Sequence, residues 1–266
     1  MRRAIGFYDK ADRDSMDVDD LVSYAIYHYL LGNFDSSLGV ALYGHGRFPG
    51  NAALDRLAFW NYTDLKKYDE ALEFAGLLFH DADTADIQSK DYLYYGYAYL
   101  GKQRYADAVD MFGKVASFDD ATEKDKVTAM QEIVKAYREL GDYDKAVDAL
   151  EHALSIIERH ENAGTEIVAT YANVGESLLR AGRLKEAQDK LTEAVRRYQL
   201  KGVRGYHYSA ALSAVAEVWY RQEDYQQALK FYQLAAEELY SVYGDNDTYR
   251  VIMNNIETVK AKLQQQ

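Results

Sequence analysis

The sequence predicts an all-α fold, and three observations support that prediction. Only one of the 266 residues is proline and seventeen are glycine, which leaves little of the turn chemistry that a many-stranded sheet needs. Apolar residues recur at helical spacing along much of the chain. A six-residue segment returns at intervals of 34 to 41 residues, so the chain consists of repeated units.

The repeated segment is clearest at residues 141–146, where it reads Gly-Asp-Tyr-Asp-Lys-Ala. Variants of it occupy residues 66–71, 103–108, 182–187 and 223–228, with a weaker copy at residues 32–37. Counting back from each copy to a common origin places the repeat starts at residues 18, 52, 89, 127, 168 and 209.

Each repeat is predicted to be a pair of packed helices. The first helices carry apolar residues at i, i+3, i+4 and i+7, which defines one helix face. The second helices carry small residues that let two helix axes approach closely. A short segment such as residues 140–142, Leu-Gly-Asp, then breaks the helix and reverses the chain. The stripes are Tyr92, Tyr95, Gly96 and Tyr99, then Met130, Ile133, Val134 and Tyr137, for first helices, and Ala108, Phe112 and Val115, then Ala146, Leu150 and Ala153, for second helices.

The period, the small residue and tyrosine of the first half and the alanines of the second half resemble the tetratricopeptide repeat. This resemblance covers residues 18 to about 241. It implies a right-handed superhelical solenoid of antiparallel helix pairs, with six repeats over residues 18–244. The family's proline at the end of the second helix occurs here only once, as Pro49. The later repeats are also longer than the earlier ones. A less regular superhelix is therefore expected.

Both ends of the chain are assigned to incomplete units. Residues 1–17 are predicted to be the remnant of a preceding second helix, with Ala4, Tyr8 and Ala11 at core spacing, and the chain is therefore expected to be a fragment of a longer protein. Residues 245–266 are predicted to form a C-terminal capping helix and tail. Its apolar stripe is Tyr249, Ile252, Met253 and Ile256.

Two finer resemblances concern the halves of the chain. Residues 61–65 and 91–98 are similar to large exported repeat proteins of Bacteroides-type bacteria, which implies a periplasmic location, with the cytoplasm as the alternative. Residues 237–244 and the 41-residue spacing before them are similar to kinesin light-chain repeats, a subtype that also binds peptides.

Charge and composition exclude several classes of function. The 43 acidic and 31 basic residues give a net charge of −12, which disfavours a nucleic-acid partner. No apolar run is long enough to insert directly into a bilayer. The absence of cysteine removes disulfides, thiolate catalysis and cysteine-based zinc sites.

The sequence contains no complete motif for catalysis, for metal binding or for cofactor binding. Residues 96–103 fit the P-loop spacing except that Gln103 replaces the required Ser or Thr, and the segment reads as helix. Acidic clusters at residues 12–20 and 81–86 lack the EF-hand pattern, so helix capping explains them better. His152 and His160 can share a helix face but lack a third ligand. We therefore predict no enzyme activity, no metal and no cofactor.

In the family that the repeats resemble, first helices line the concave surface and supply the ligand contacts. The resemblance therefore implies a binding surface that is aromatic near the N-terminus and of mixed charge near the C-terminus. Its residues are Arg56, Trp60, Lys90, Tyr94, Tyr97, Gln131, Lys135, Arg138, Glu176, Arg180, Glu217, Tyr220 and Arg221, and the same rows contain Thr63, Leu93, Ala172 and Ser213.

The leading functional prediction is a non-enzymatic scaffold that holds a peptide or protein segment in this groove. An exposed Trp60 beside Tyr94 and Tyr97 would anchor such a partner, whereas packing of these rings between repeats is the equal alternative. A carbohydrate or small-ligand receptor that stacks sugars on the rings is a second possibility. A sensor or regulatory part of a longer signalling protein is a third. The lysine and asparagine set that binds chaperone tails is missing from adjacent repeats.

Overall fold

The computed structural model of the protein describes residues 1–81, 86–158 and 166–265. All regular structure in these residues is helical, which confirms the predicted all-α class. A single 3-10 turn lies at Arg13–Ser15, and the α-helices are α1 (Arg2–Tyr8), α2 (Val18–Leu30), α3 (Phe34–Arg47), α4 (Ala52–Asp64), α5 (Tyr68–Asp81), α6 (Ser89–Gly101), α7 (Tyr105–Val115), α8 (Glu123–Glu139), α9 (Tyr143–Ile157), α10 (Glu166–Arg180), α11 (Leu184–Leu200), α12 (Tyr206–Arg221), α13 (Tyr225–Tyr243) and α14 (Asp247–Leu263).

The helices form two compact units, Met1–Ala136 and Tyr137–Gln266, called unit 1 and unit 2 below. Within unit 1, α2 packs on α3, α4 on α5 and α6 on α7. Within unit 2, α10 packs on α11 and α12 on α13, and α14 packs on α13. Stacked helix pairs are therefore the architecture of both units, because one pair alone cannot bury its apolar stripe.

The helix starts follow the predicted repeat origins closely at first and less closely later. Helices α2, α4 and α6 begin at residues 18, 52 and 89, as the repeat origins do. Helices α10 and α12 begin at residues 166 and 206, a few residues before the origins at 168 and 209. The origin at 127 lies inside α8. The later repeats are longer, so the start of a helix can differ from the repeat origin by a few residues.

The first residue of every repeated segment adopts a left-handed backbone conformation that ends the first helix. Gly141 has φ of 74°, and the next amide, of Asp142, donates to the carbonyl oxygen of Tyr137 at 2.9 Å. This pattern is a Schellman C-cap, which favours glycine because other side chains are strained there. The same conformation occurs at Gly32, Lys66, Gln103, Gly182 and Glu223.

The core within each helix pair depends on the small residue of the first helix. A Cβ added to Gly96 would lie 2.5 Å from Cε1 of Phe112, so α6 approaches α7 closely only because residue 96 has no side chain. Gly175 has the same relation to Leu191, at 2.4 Å from its Cγ. The predicted second-helix residues, Ala108, Phe112, Val115, Ala146, Leu150 and Ala153, are all buried.

The two terminal helices differ in how far they match the sequence pattern. Helix α1 ends at Tyr8, so Ala11 lies beyond it and is exposed, and Ile5 is the buried residue of this helix. Tyr8 packs on Tyr24 with ring centroids 5.2 Å apart. At the other end, Ile252 and Ile256 of α14 are buried, and both belong to the predicted stripe.

Candidate ligand-binding surfaces

The predicted contact residues of unit 1 surround a buried carboxylate, Asp91, at the start of α6. Nε of Arg56 donates to both carboxylate oxygens of Asp91, at 2.9 and 3.0 Å. The backbone amide of Gln88 also donates to Asp91, at 2.9 Å, which forms a capping box. Arg56 therefore joins α4 to α6, and its guanidinium is engaged inside the protein.

Trp60 is buried, whereas an exposed Trp60 is what a binding anchor requires. Only 9% of the residue is accessible to solvent, and Nε1 donates to Asp91 at 3.1 Å. The ring stacks on Tyr94 with centroids 5.2 Å apart and planes 24° apart. Packing between neighbouring repeats, the alternative from the sequence, describes its position. The predicted role of Trp60 in binding stays a prediction.

Lys90 places its ammonium against three aromatic rings. Nζ lies 4.4 Å from the ring centroid of Trp60, 5.6 Å from that of Tyr29 and 5.7 Å from that of Tyr94. Among the residues that the structure describes, Lys90 forms no ion pair. Its charge is therefore stabilised by the ring faces, which are attractive to cations.

A hydrogen-bonded chain of hydroxyls fixes the outer edge of this cluster. The hydroxyls of Tyr29 and Tyr94 form a hydrogen bond, and the Tyr94 hydroxyl also donates to Asp64 at 3.4 Å. Burial raises the pKa of Tyr94 to about 12, so its hydroxyl stays protonated at neutral pH. Partial desolvation raises the pKa of Asp64, although its hydrogen bonds to both tyrosines oppose that change.

The remaining predicted residues of unit 1 are peripheral to this cluster. Tyr97 is half-buried and packs edge-on against Phe112, with centroids 5.4 Å apart. Lys135 is exposed and pairs with Glu132 at 2.6 Å. Gln131 is exposed on the same helix. Nothing in this arrangement brings Gln131 and Lys135 to the aromatic rings.

In unit 2, an open groove of about 530 Å³ runs between α10, α12 and α14. Four predicted residues line it: Glu176 and Arg180 from α10, and Glu217 and Arg221 from α12. The structure therefore brings together most of the predicted residues of this unit. Tyr220 instead packs on Tyr225, with centroids 5.5 Å apart.

Arg138 lies outside the groove lining and is held by α10. Its guanidinium donates to Oγ of Ser177 at 2.9 and 3.1 Å and to the carbonyl oxygen of Asn173 at 2.9 Å. Burial lowers the pKa of Arg138, but an arginine remains charged in any case. Arg138 therefore positions α10.

The groove has an apolar floor and polar groups, some of which have hydrogen-bond partners while others have none among the described residues. Leu179, Ala214 and Ile252 are buried beneath it, and Val251 is 58% exposed at its edge. Oγ of Ser213 is buried and has no hydrogen-bond partner among the described residues. An orphaned hydroxyl beside apolar floor residues is what a site for an external ligand presents.

Among the described residues, the charged groups of the groove comprise one closed network around Glu217 and two charges without an ion pair, Glu176 and Arg180. Nε of Arg221 pairs with Glu217 at 2.8 Å, and the hydroxyl of Tyr232 donates to the other carboxylate oxygen at 3.1 Å. Burial, followed by the negative charge of Glu217, raises the pKa of Tyr232. Arg180 is exposed and forms no ion pair within the described ranges. Its guanidinium is therefore available to an anion.

Helix α14 contributes residues that the sequence analysis did not assign to a site. Thr248, Val251, Ile252 and Asn255 line the groove, although residues 245–266 were predicted only as a cap. Their spacing of three and four residues marks one helix face, which is the signal that could have placed them beside α12.

The described part of the chain offers neither a metal site nor a membrane span. No group of three or more His, Asp or Glu side chains there could hold a metal ion. His160, of the pair His152 and His160, and Asp83, of the acidic cluster at residues 81–86, lie outside the described residues. None of the helices that the structure describes has the length and apolar character needed to cross a membrane.

Stacked helix pairs with a groove lined by first helices define a helical-repeat protein. The tetratricopeptide repeat model matches residues 125–200 and 165–237, and over this part of the chain the predicted resemblance is confirmed. A search of curated proteins finds no match.

Solved structures share the fold at low sequence identity. The apo form of RapI is 10% identical and has a TM-score of 0.68, over 93% of this chain and 72% of that one. A tetratricopeptide repeat protein from Parabacteroides merdae is 13% identical and has a TM-score of 0.51, over 97% and 96%. Repeats of a putative kinesin light chain from Podosopora anserina are 15% identical, with a TM-score of 0.57 over 74% and 98%. These likenesses show the fold alone.

Proposed function

We propose that the protein is a non-enzymatic interaction module that binds a peptide segment of a partner protein in the groove of unit 2. One observation carries this proposal: the groove has an apolar floor beside a cation, Arg180, and a hydroxyl, Ser213, neither of which has a partner among the described residues. Its volume of about 530 Å³ lies in the range of roughly 300–1,000 Å³ typical of ligand pockets.

The chemistry of the groove suggests the kind of segment that fits. An apolar side chain would cover Leu179 and Ala214, and an adjacent carboxylate would reach Arg180. A backbone or side-chain amide would supply a partner for Ser213. Such a segment removes apolar area from water and satisfies two polar groups, which is the combination that stabilises peptide complexes.

The carbohydrate alternative receives less support from the structure. Stacking on a sugar requires an accessible aromatic face, but Trp60 is buried and packed against Tyr94. The regulatory alternative is compatible with the groove, since a sensor also binds a ligand. We also propose a periplasmic location in a Bacteroides-type bacterium, on the sequence resemblance of residues 61–65 and 91–98. The chemistry of the groove is compatible with that compartment and with the cytoplasm.

The proposal is tested by selecting peptides from a random displayed library on the full chain and measuring their affinity. Ala210→Trp places a large ring in the groove from an exposed position of α12, and we expect it to abolish binding. Gln233→Trp on α13 is the matched control, because Gln233 is exposed and does not line the groove. Equal binding by both variants would contradict the proposal.

The charge requirement is tested separately with the selected peptides. Arg180→Glu should weaken binding of acidic peptides by roughly tenfold, since a favourable charge pair becomes a repulsive one. Lys230→Glu makes the same charge change on the exposed surface of α13 and should have little effect. Selected peptides without any acidic residue would refute the role of Arg180.

A further inference from the structure

We propose that Tyr29, Trp60 and Tyr94 form an aromatic cage for a quaternary ammonium group and that Lys90 is its internal occupant. The cage lies within unit 1 and does not depend on the peptide groove of unit 2. The ligand would be a trimethylammonium group, carried either by a choline-type small molecule or by a trimethylated lysine of a partner.

The geometry of the rings supports cation binding directly. One ammonium nitrogen lies 4.4 Å from the centroid of Trp60, 5.6 Å from that of Tyr29 and 5.7 Å from that of Tyr94. All three distances are within the range of about 6 Å over which a ring face attracts a cation. The ring faces that attract the ammonium of Lys90 also attract other cations.

The rings are held in place by contacts that do not involve Lys90. Trp60 donates Nε1 to the buried Asp91 at 3.1 Å, and Arg56 holds Asp91 through two further hydrogen bonds from Nε. Tyr29 and Tyr94 are joined through their hydroxyls, and Tyr94 also reaches Asp64. Removal of the lysine should therefore leave a preorganised cage with a carboxylate beside it.

Lys90 has the properties of a displaceable occupant. Its residue is exposed, its ammonium has no ion pair within the described ranges, and its long side chain loses rotamer freedom while it lies over the rings. A lysine ammonium is also compact and strongly hydrated. A trimethylammonium group spreads its charge over methyl groups and gives up less hydration when it contacts the rings.

The experiment is an NMR titration of the full chain labelled with ¹⁵N-tryptophan, which gives one indole signal for Trp60 and one for Trp219. Tetramethylammonium chloride is the probe, with sodium chloride at equal concentration as the salt control. The wild-type chain is compared with Lys90→Ala and with the matched control Lys67→Ala, whose lysine is exposed and lies over none of the rings that the structure describes.

We expect a saturable shift of the Trp60 signal with tetramethylammonium, while the Trp219 signal stays in place. Lys90→Ala should lower the dissociation constant by roughly tenfold, the factor expected if Lys90 fills the cage about nine-tenths of the time. Lys67→Ala should match the wild-type chain. Adding Tyr29→Leu to Lys90→Ala should remove the response, with an unchanged helical circular dichroism of the full chain as the check on folding.

Several results would overturn the proposal. They are the absence of a saturable Trp60 shift in Lys90→Ala, an equal shift with sodium chloride, or the same affinity in Lys90→Ala and the wild-type chain. Titration with choline and with trimethyl-lysine then distinguishes the two sources of the ligand. Tighter binding of choline assigns a small molecule, tighter binding of trimethyl-lysine assigns a modified partner protein, and unmethylated lysine should bind more weakly than either.

Discussion

The first helices of unit 1 and unit 2 occupy equivalent places in their repeats, yet their side chains are engaged differently. In unit 1, Arg56, Trp60 and Lys90 contact Asp91 or the aromatic rings around it. In unit 2, Arg180 and Ser213 line a groove and have no partner in the part of the chain that the structure describes. A residue at a family binding position is thus directly available to a ligand where the neighbouring repeat leaves it unsatisfied, whereas a ligand of the unit 1 rings would first have to displace Lys90.

The largest expected effect concerns the buried ion pair of unit 1. Asp91→Ala removes the acceptor of Arg56, Trp60 and the Gln88 amide, and leaves a largely buried guanidinium without its charge partner. We expect a loss of about 3–5 kcal/mol in the free energy of unfolding, measured by urea denaturation. Asp86→Ala, at an exposed position, is the control. A loss below 1 kcal/mol would mean that unit 1 does not depend on this pair.

The close helix contacts of the two units should respond differently to an added methyl group. Gly96→Ala drives a Cβ into the stiff ring of Phe112, and we expect a net loss of about 1–2 kcal/mol after the gain in helix propensity. Gly175→Ala meets Cγ of Leu191 at 2.4 Å and its backbone nitrogen at 3.1 Å, and a rotamer change cannot relieve the backbone contact, so its loss should be larger. Gly113→Ala, with open space around the new methyl group, should stabilise the chain by about 0.5–1 kcal/mol. Thermal and urea unfolding measure the stability change of all three variants. Equal changes would show that helix propensity alone determines the effect of each substitution.

Two serines of α12 test whether the groove contains an unsatisfied hydroxyl. Ser209 donates to the carbonyl oxygen of Ala235 at 2.8 Å, so Ser209→Ala should cost about 1 kcal/mol. Ser213→Ala removes a buried hydroxyl that lacks a partner and should be neutral or stabilise the chain by up to about 1 kcal/mol. If Ser213→Ala lowers the free energy of unfolding as much as Ser209→Ala, then Ser213 already has a hydrogen-bond partner. Arg180 would then be the one remaining polar group of the described groove residues that supports ligand binding.

The smallest expected effect concerns a surface ion-pair cluster of unit 2. Arg196 and then Arg197 lower the pKa of Glu193 to about 2, through contacts of 2.7 and 2.6 Å. A lowered folded-state pKa stabilises the protein above the unfolded pKa of roughly 4.5, and that stabilisation is lost as pH falls towards 2. Glu193→Gln should therefore cost less than about 1 kcal/mol at pH 7, because the cluster lies at the surface and each of its side chains is at least partly exposed to solvent.

The same variant shows how this contribution depends on pH. Calorimetry from pH 7 down to pH 3 should show the difference between Glu193→Gln and the wild-type chain shrinking below about pH 4.5. A difference that stays constant across this range would mean that the change acts through packing instead of charge. A difference as large as that for Asp91→Ala would remove the contrast between buried and surface pairs.

The site was only partly predictable from the sequence. The rows of first-helix positions correctly brought Glu176, Arg180, Glu217 and Arg221 to one groove, because equivalent positions of adjacent repeats lie side by side. They did not show that Trp60 is buried or that Asp91 is its partner. Position within a repeat identifies the helix face, whereas the depth of a side chain depends on the size of its neighbours in the next repeat.

The sequence by itself determined the helical class, the pairing of helices and the places where each first helix ends. Those features follow from local chemistry: apolar period, small residues at the pair contact, and a turn residue such as Gly141 that accepts a left-handed conformation. Only the tertiary structure decided which polar groups find internal partners. Lys90 over three rings and Ser213 without a partner depend on distances between helices that are remote in sequence, and no local pattern encodes such distances.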